Sequence, residues 1–268
     1  MQLRIENFPQ REMKALLRKG FEKFLPRQLA NIRENRANRY HIRGNLSYGQ
    51  EGEDRVIISL LYKVYAGQYP SAGFYVDVGA HDPFRFSNTY LFYKMGWSGI
   101  NIDAAPGSMR SFNSHRPRDV NLEIGIGKES SAATFYLFNE PALNTFDGGL
   151  AFARSVPPYR IIREISVAIV PLRDVLFKHV AINQPIDFLT VDVEGRDIDV
   201  LESNDWDKYR PKIVLVEILS KPVIACASDP VTRYLAEMQY VFYAKTVNTA
   251  IFVDSTLPTL KAEEQEPV

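Results

Sequence analysis

From residue 73 onward, short β-branched or aromatic runs alternate with stretches of helical spacing, and this alternation limits the possible folds more than any other feature. Strands are expected at 73–78, 99–103, 119–124, 186–192, 212–218, 239–244 and 249–253. Helices fit between most of them, at about 87–96 (Ser87 as cap), 107–115, 172–180, 196–203 and 229–238. Repeated βαβ units imply an α/β fold with a mainly parallel sheet covered by helices. The last two runs, YVFYAK and TAIFVD, are separated by only a few residues and read as a hairpin. A terminal strand must therefore run antiparallel to the rest.

Two further strand-like runs, 131–138 (SAATFYLF) and 165–170 (ISVAIV), depart from the alternation and enclose a polar, glycine-containing loop at about 139–160. A connection of that length inside a compact domain suggests a lid or a binding loop. Ahead of the sheet, Ser47 is a plausible cap for a helix carrying Val56, Ile57, Leu60, Leu61 and Val64 and ending near Gly67. The expected organisation is a basic helical flank over 1–46, a main domain over 47–258 and an acidic tail over 259–268. Residues 1–43 carry eleven Lys or Arg against four Glu, so this end can meet an anionic membrane, or can simply pack as a solvated flank. Over the whole chain, 32 basic and 32 acidic residues balance, which argues against nucleic acid as a partner. A single cysteine, Cys226, no signal peptide and no long apolar run lead to the expectation of a cytoplasmic protein, peripheral at a membrane if the flank docks there.

The first strand of the sheet ends in Asp77, Val78, Gly79, Ala80, and ligands of such folds bind at the carboxyl ends of the strands. Gly79 is read as allowing close approach of a ligand, and the following helix start as offering free N–H groups. The second strand ends in Asp103, followed by Ala104; an acid there can accept hydrogen bonds from both hydroxyls of a ribose. A dinucleotide needs several glycines against its pyrophosphate, whereas here His81, Asp82 and Pro83 follow the lone Gly79. A nucleoside without phosphates, such as S-adenosylmethionine, fits better, with Asp77 facing its ammonium group.

The segments GFYVDVGAHDP, SNT, GWSGINIDAAP, LNTFD and IDFLTVDVEGRDIDVLE, with YGQEGEDR on the preceding helix, together resemble the FkbM-type family of S-adenosylmethionine-dependent methyltransferases. The resemblance spans about residues 48–219 and departs from the common pattern at His81, where members usually carry Asn. It implies a class I methyltransferase fold, Rossmann-like, with cofactor contacts at Asp77, Gly79 and Asp103. It also implies O-methylation of a sugar hydroxyl on a glycan, glycolipid or related natural product, as in polysaccharide biosynthesis. By position, Glu123, Gly125 and Ile126 belong beside the adenine, and Gln50 and Glu51 reach the same cavity from the preceding helix.

A second acidic group, Asp192 and Glu194 after the fourth strand and Glu217 after the fifth, can emerge at the same sheet edge. Such carboxylates can hold a divalent cation such as Mg2+, for which Asp192 and Glu217 are the candidates, or take a proton from the acceptor hydroxyl. Asp192, Glu194 and His81 are the candidate catalytic residues. The structural alternatives are that Asp192 caps the helix beginning near Gly195, that Glu217 pairs with an arginine, and that His81 shapes the turn. The competing functions are a cofactor-binding module without turnover and a nicotinamide oxidoreductase.

Overall fold

Alternation within β1 (Phe74–Val78) sets the layers of the molecule, because successive side chains of a strand point to opposite faces. Val76 and Val78 enter one apolar layer and Tyr75 the other. The structure is a computed structural model that describes residues 46–68, 70–219 and 222–263; the basic flank lies outside these residues. The chain divides between Leu46 and Ser47, and the second unit is described here.

β1 lies at the centre of a seven-stranded sheet. On one side it pairs in parallel with β2 (Ser98–Asp103), which pairs with β3 (Val120–Glu123). On the other it pairs with the strand at Phe188–Val191, which pairs in parallel with the strand at Ile213–Glu217. The hairpin closes the sheet, and its second strand, Thr249–Asp254, is antiparallel both to Ile213–Glu217 and to Tyr240–Lys245. This is the seven-stranded, mostly parallel arrangement with a terminal hairpin expected from the alternation.

Helix α1 (Glu53–Val64) and α2 (Tyr90–Lys94) cover one face, with Ile57, Leu61 and Phe92 packed on Tyr75 and Phe188. The opposite face is covered by α5 (Leu172–His179), α6 (Asp197–Glu202) and α8 (Pro230–Glu237), through residues such as Leu176, Leu201 and Leu235. Among the described residues no helix is long and apolar enough to cross a membrane. In chain order the remaining elements are α3 (Met109–His115), β4 (Gly125–Ile126), β5 (Ser131–Phe138), α4 (Gly148–Arg154), β6 (Ile161–Val170), β7 (Phe188–Val191), β8 (Ile213–Glu217), α7 (Val223–Cys226), β9 (Tyr240–Lys245), β10 (Thr249–Asp254) and α9 (Pro258–Glu263).

Several boundaries differ from the sequence reading for local reasons. Ser47 is not the cap of α1; its hydroxyl donates to Asp54 Oδ1 at 2.6 Å, and the helix begins after Gly52. Ser87 does accept from the Tyr90 N–H at 3.1 Å, but the helix it leads into is short. The third strand breaks at Ile124, and β4 leaves the main sheet to pair with β6, forming a second sheet in the order β4-β6-β5. The 139–160 segment is not irregular throughout: Asp147 caps α4 by accepting from the Leu150 N–H at 2.8 Å. At the C-terminal end α9 begins at Pro258, and Leu260 packs on the α1 layer, so the start of the expected tail is part of the folded unit.

Candidate active site

The turn after β1 is held by the backbone itself. Gly79 has φ +88°, and a Cβ there would come within 1.7 Å of the Asp192 carbonyl oxygen. The glycine is therefore required by the close passage of the chain after β7, a reason different from the ligand approach read from sequence. The N–H groups of Gly79 and Ala80 both donate to the Ile102 carbonyl, at 2.9 and 3.0 Å, and that of His81 donates to Asp103 Oδ2 at 2.9 Å. Three successive donors are thus already engaged, and α2 begins only at Tyr90. The expected anion-binding helix start is absent at this turn, which removes what a pyrophosphate would need.

Asp77 shares the face of β1 with Tyr75 and lies over a buried polar network. Its Oδ2 accepts from Thr89 Oγ1 at 2.9 Å, and Thr89 Oγ1 accepts from Arg116 Nη2 at 2.9 Å. Arg116 is fully buried and also donates to Asp119 Oδ2 (2.8 Å) and the Tyr75 hydroxyl (2.9 Å). Asp119 in turn accepts from the Gly99 N–H and from Asn101 Nδ2, each at 2.9 Å. Burial pushes the Asp77 carboxyl up to about 6, against the pull of the Arg116 charge and the Thr89 hydrogen bond. Arg116 and Asp119 are not among the site residues read from the sequence, where Asp119 only opens the expected third strand.

A cavity of about 760 Å³ opens at the carboxyl edge of the sheet and brings most of the candidate residues together. Asp77 lines it from β1 and Gly79, Ala80 and His81 from the turn after it, Asp103 from β2 with Ala104 just beyond, and Gly125 and Ile126 from β4. Both oxygens of Asp103 accept backbone N–H groups, from His81 and, at 2.7 Å, from Ala105, so the carboxylate is fixed in place with lone pairs still directed outward. Gln50 lines the cavity from the segment before α1. Glu51 does not: its two oxygens accept from the Asn248 N–H and Nδ2, each at 2.7 Å, tying that segment to the β9–β10 turn. Glu123 also lies outside the lining and accepts from the Gly107 N–H at 2.8 Å. Polar atoms already satisfied by neighbouring backbone account for both departures.

Across the cavity stand Asp192, Glu194 and Glu217, whose carboxylate oxygens lie within 4.8 Å of one another. Asp192 follows β7 and Glu217 ends β8, so parallel neighbours deliver both to one edge. Asp192 does not cap α6, whose N-terminus has no side-chain cap; Asp197, its first residue, closes the preceding turn by accepting from the N–H groups of Val193 (3.0 Å) and Gly195 (3.3 Å). The arginine that sequence allowed for Glu217 pairs instead with Glu194: Arg154, from α4, bonds Glu194 Oε2. The carboxylates of Asp192 and Glu217 have no hydrogen-bond or ion-pair partner among the described residues.

Asp192 has solvent access through the cavity, yet the surrounding protein and the neighbouring Glu217 and Glu194 charges raise its carboxyl well above the usual range. The same causes, burial first and then Glu194 and Asp197, push Glu217 up to about 8. Three carboxyl groups this close cannot all ionise easily at neutral pH, so the group retains a proton or attracts a cation. Hard oxygen donors at this spacing fit a small divalent ion. His81 has φ +53° and lines the cavity, its Nε2 lying 3.5 Å from Arg85 Nη1.

The small sheet and the 139–160 segment form the remaining wall. Phe135, Phe138, Asn144 and Phe146 line it, and the Thr145 hydroxyl donates to the Glu194 carbonyl at 2.7 Å. With the Arg154–Glu194 pair, this contact fastens the segment over the end of β7. The fold and this edge of the sheet agree with a comparison against protein families, in which the methyltransferase FkbM domain matches residues 77–242, more than half of the chain. No curated protein sequence matches the chain at a significant level. The protein belongs to the FkbM family of methyltransferases.

Proposed function

We propose that the protein transfers a methyl group from S-adenosylmethionine to a sugar hydroxyl of a glycan, a glycolipid or a related natural product. The observation that carries this reading is that a single cavity joins a hydrogen-bonded acidic pair, Asp77 and Asp103, to an unpartnered one, Asp192 and Glu217. The first three N–H groups of the turn after β1 are engaged within the protein, which favours a nucleoside sulfonium over a nicotinamide dinucleotide.

S-adenosylmethionine supplies an electrophilic methyl group, so the protein's tasks are alignment of the acceptor oxygen and removal of its proton. Asp103 would hold the ribose hydroxyls, and Asp77, ionised with help from Arg116, would face the ammonium group. Asp192 or Glu217 would accept the hydroxyl proton, each being suited to that role near neutral pH because its affinity for a proton is raised. Asp192 and Glu217 would hold magnesium in place of the retained proton, and the ion would supply stabilisation of developing alkoxide charge. Arg154 holds Glu194, which makes Glu194 the weaker candidate for the base.

The test combines scanning fluorimetry with transfer assays. S-adenosylhomocysteine should raise the melting temperature and NAD should not. Methyl transfer to a panel of glycans, with and without chelator, separates the metal-assisted route from the metal-free one. Cofactor binding with no transfer to any glycan would favour a module without turnover; stabilisation by NAD alone would overturn the proposal.

A further inference from the structure

The rim of the cavity carries large apolar side chains that the fold leaves in solvent. On the lid side, Phe152 is 64% exposed and Ile162 58%, with Val156 and Tyr159 also exposed between them. On the other side, Val247 is 71% exposed beside the cavity-lining Asn248, and Ile224, in the segment following the cavity-lining Leu219, is 89% exposed. Phe152, Val156 and Tyr159 belong to the same segment as the cavity-lining Arg154 and Ile162, so that segment offers several separate apolar tips beside the cavity. That arrangement suits insertion into a fluid interface better than a continuous groove would.

Charge along the 150–163 segment is one-sided. Between Leu150 and Arg163 there are three arginines and no acid. Arg154 is taken up by Glu194, while Arg160 and Arg163 are exposed and have no acidic partner among the described residues. Of the acids nearby, Glu140 pairs with Arg85 at 3.0 Å and Glu194 with Arg154, Glu164 of β6 is exposed, and Asp192 and Glu217 lie within the cavity itself. Apolar tips interleaved with free guanidinium groups match the boundary between phosphate headgroups and acyl chains, where the tips enter the apolar region and the cations meet phosphate.

We propose that this rim docks the mouth of the cavity on an anionic lipid bilayer, so that the acceptor reaches the site from the membrane surface. The docking stands on the rim alone; the statement about the acceptor rests on the proposed transfer activity. The proposal does not draw on the basic flank, since every residue invoked lies within the second unit.

Sedimentation of the full chain with phosphatidylglycerol-containing vesicles, compared with pure phosphatidylcholine vesicles, tests it. The chain should bind the anionic vesicles, and added salt should weaken the binding. Phe152→Ser/Val156→Ser/Ile224→Ser and, separately, Arg160→Glu should each reduce vesicle binding at least about fivefold. None of these positions lines the cavity, so S-adenosylhomocysteine affinity and melting temperature should stay near those of the unaltered chain. Vesicle binding unchanged in both variants would assign any docking to the flank and overturn the proposal. A dimer in solution that the triple substitution dissociates would also overturn it, by making a second copy the occupant of the rim. Loss of S-adenosylhomocysteine binding by the unaltered chain would remove the transfer reading while leaving the vesicle result intact.

Discussion

The two halves of the cavity treat their acids in opposite ways. At the β1–β2 edge, both oxygens of Asp103 accept backbone N–H groups, and Asp77 is joined through Thr89 to the buried Arg116. At the β7–β8 edge, Asp192 and Glu217 face each other with no partner, and both hold protons more tightly than ordinary carboxylates. A partnered acid is preorganised and suited to binding a fixed ligand. An unpartnered, mutually repelling pair lowers stability and is suited to exchanging a proton or holding a cation. The contrast divides binding from chemistry, and substitutions can test the division.

The largest effect should come from Asp192→Asn. If the unpartnered half performs the chemistry, transfer should fall by about 10²–10⁴-fold, the usual contribution of a positioned acid or base. S-adenosylhomocysteine affinity, measured by calorimetry, should change less than about twofold. Retained turnover would remove Asp192 from the mechanism.

Next in size is Arg116→Met, which removes the cation under the binding half and leaves Asp119 buried without its partner. Breaking a buried ion pair from one side costs about 3–5 kcal/mol, so chemical denaturation should show a loss of that order. An effect below about 1 kcal/mol would mean that the network adds little to the scaffold.

Asp77→Asn should act on binding. Loss of a charged contact to the ammonium group should weaken S-adenosylhomocysteine about tenfold, equivalent to roughly 1.4 kcal/mol. The unaltered protein should show a related loss as pH falls through about 6, because Asp77 is ionised above that pH and neutral below it. The asparagine variant should lack this part of the pH dependence. Equal affinity in the two proteins would break the assignment of binding to this half.

The sheet was legible because its strands are short β-branched runs with helices between them, and a period of two cannot be satisfied by a helix. Asp77 and Asp103 were legible because strand-end acids have few roles on a parallel sheet. Gly79 was recognisable as necessary, but not the reason: the atom that would collide with its Cβ belongs to Asp192, 113 positions along the chain. Arg116 was hidden because nothing local marks an arginine beside a proline as buried. Its burial depends on Tyr75, Thr89 and Asp119 converging from three separate segments. The Arg154–Glu194 pair was hidden for the same reason, since it depends on how α4 lies over β7. Glu51 and Glu123 were misplaced in the other direction: residues at element ends were read as facing the ligand, whereas neighbouring N–H groups had already engaged them.

The smallest expected effect is also the most direct probe of the unpartnered half. The Glu217 carboxyl is raised from an ordinary value of 4.5 to about 8, so between those pH values the folded chain binds more protons at this site than the unfolded chain does. Stability contributed by the site therefore falls as pH rises through that window, and the full cost is present above it. Glu217→Gln removes the titration and most of the repulsion on Asp192. Its melting temperature should exceed that of the unaltered protein at about pH 9, by roughly 2–4 °C for each kcal/mol relieved, and the difference should close toward about pH 4. Catalysis should move the other way, with slower transfer and loss of an acid limb near pH 8 from the rate profile. A stability gain at high pH together with lost transfer would show that the acidic edge is kept for chemistry at the expense of the fold. Equal melting curves at both ends of the pH range would show that Glu217 is solvated like a surface carboxylate, and the contrast between the two halves would then rest on Asp192 alone.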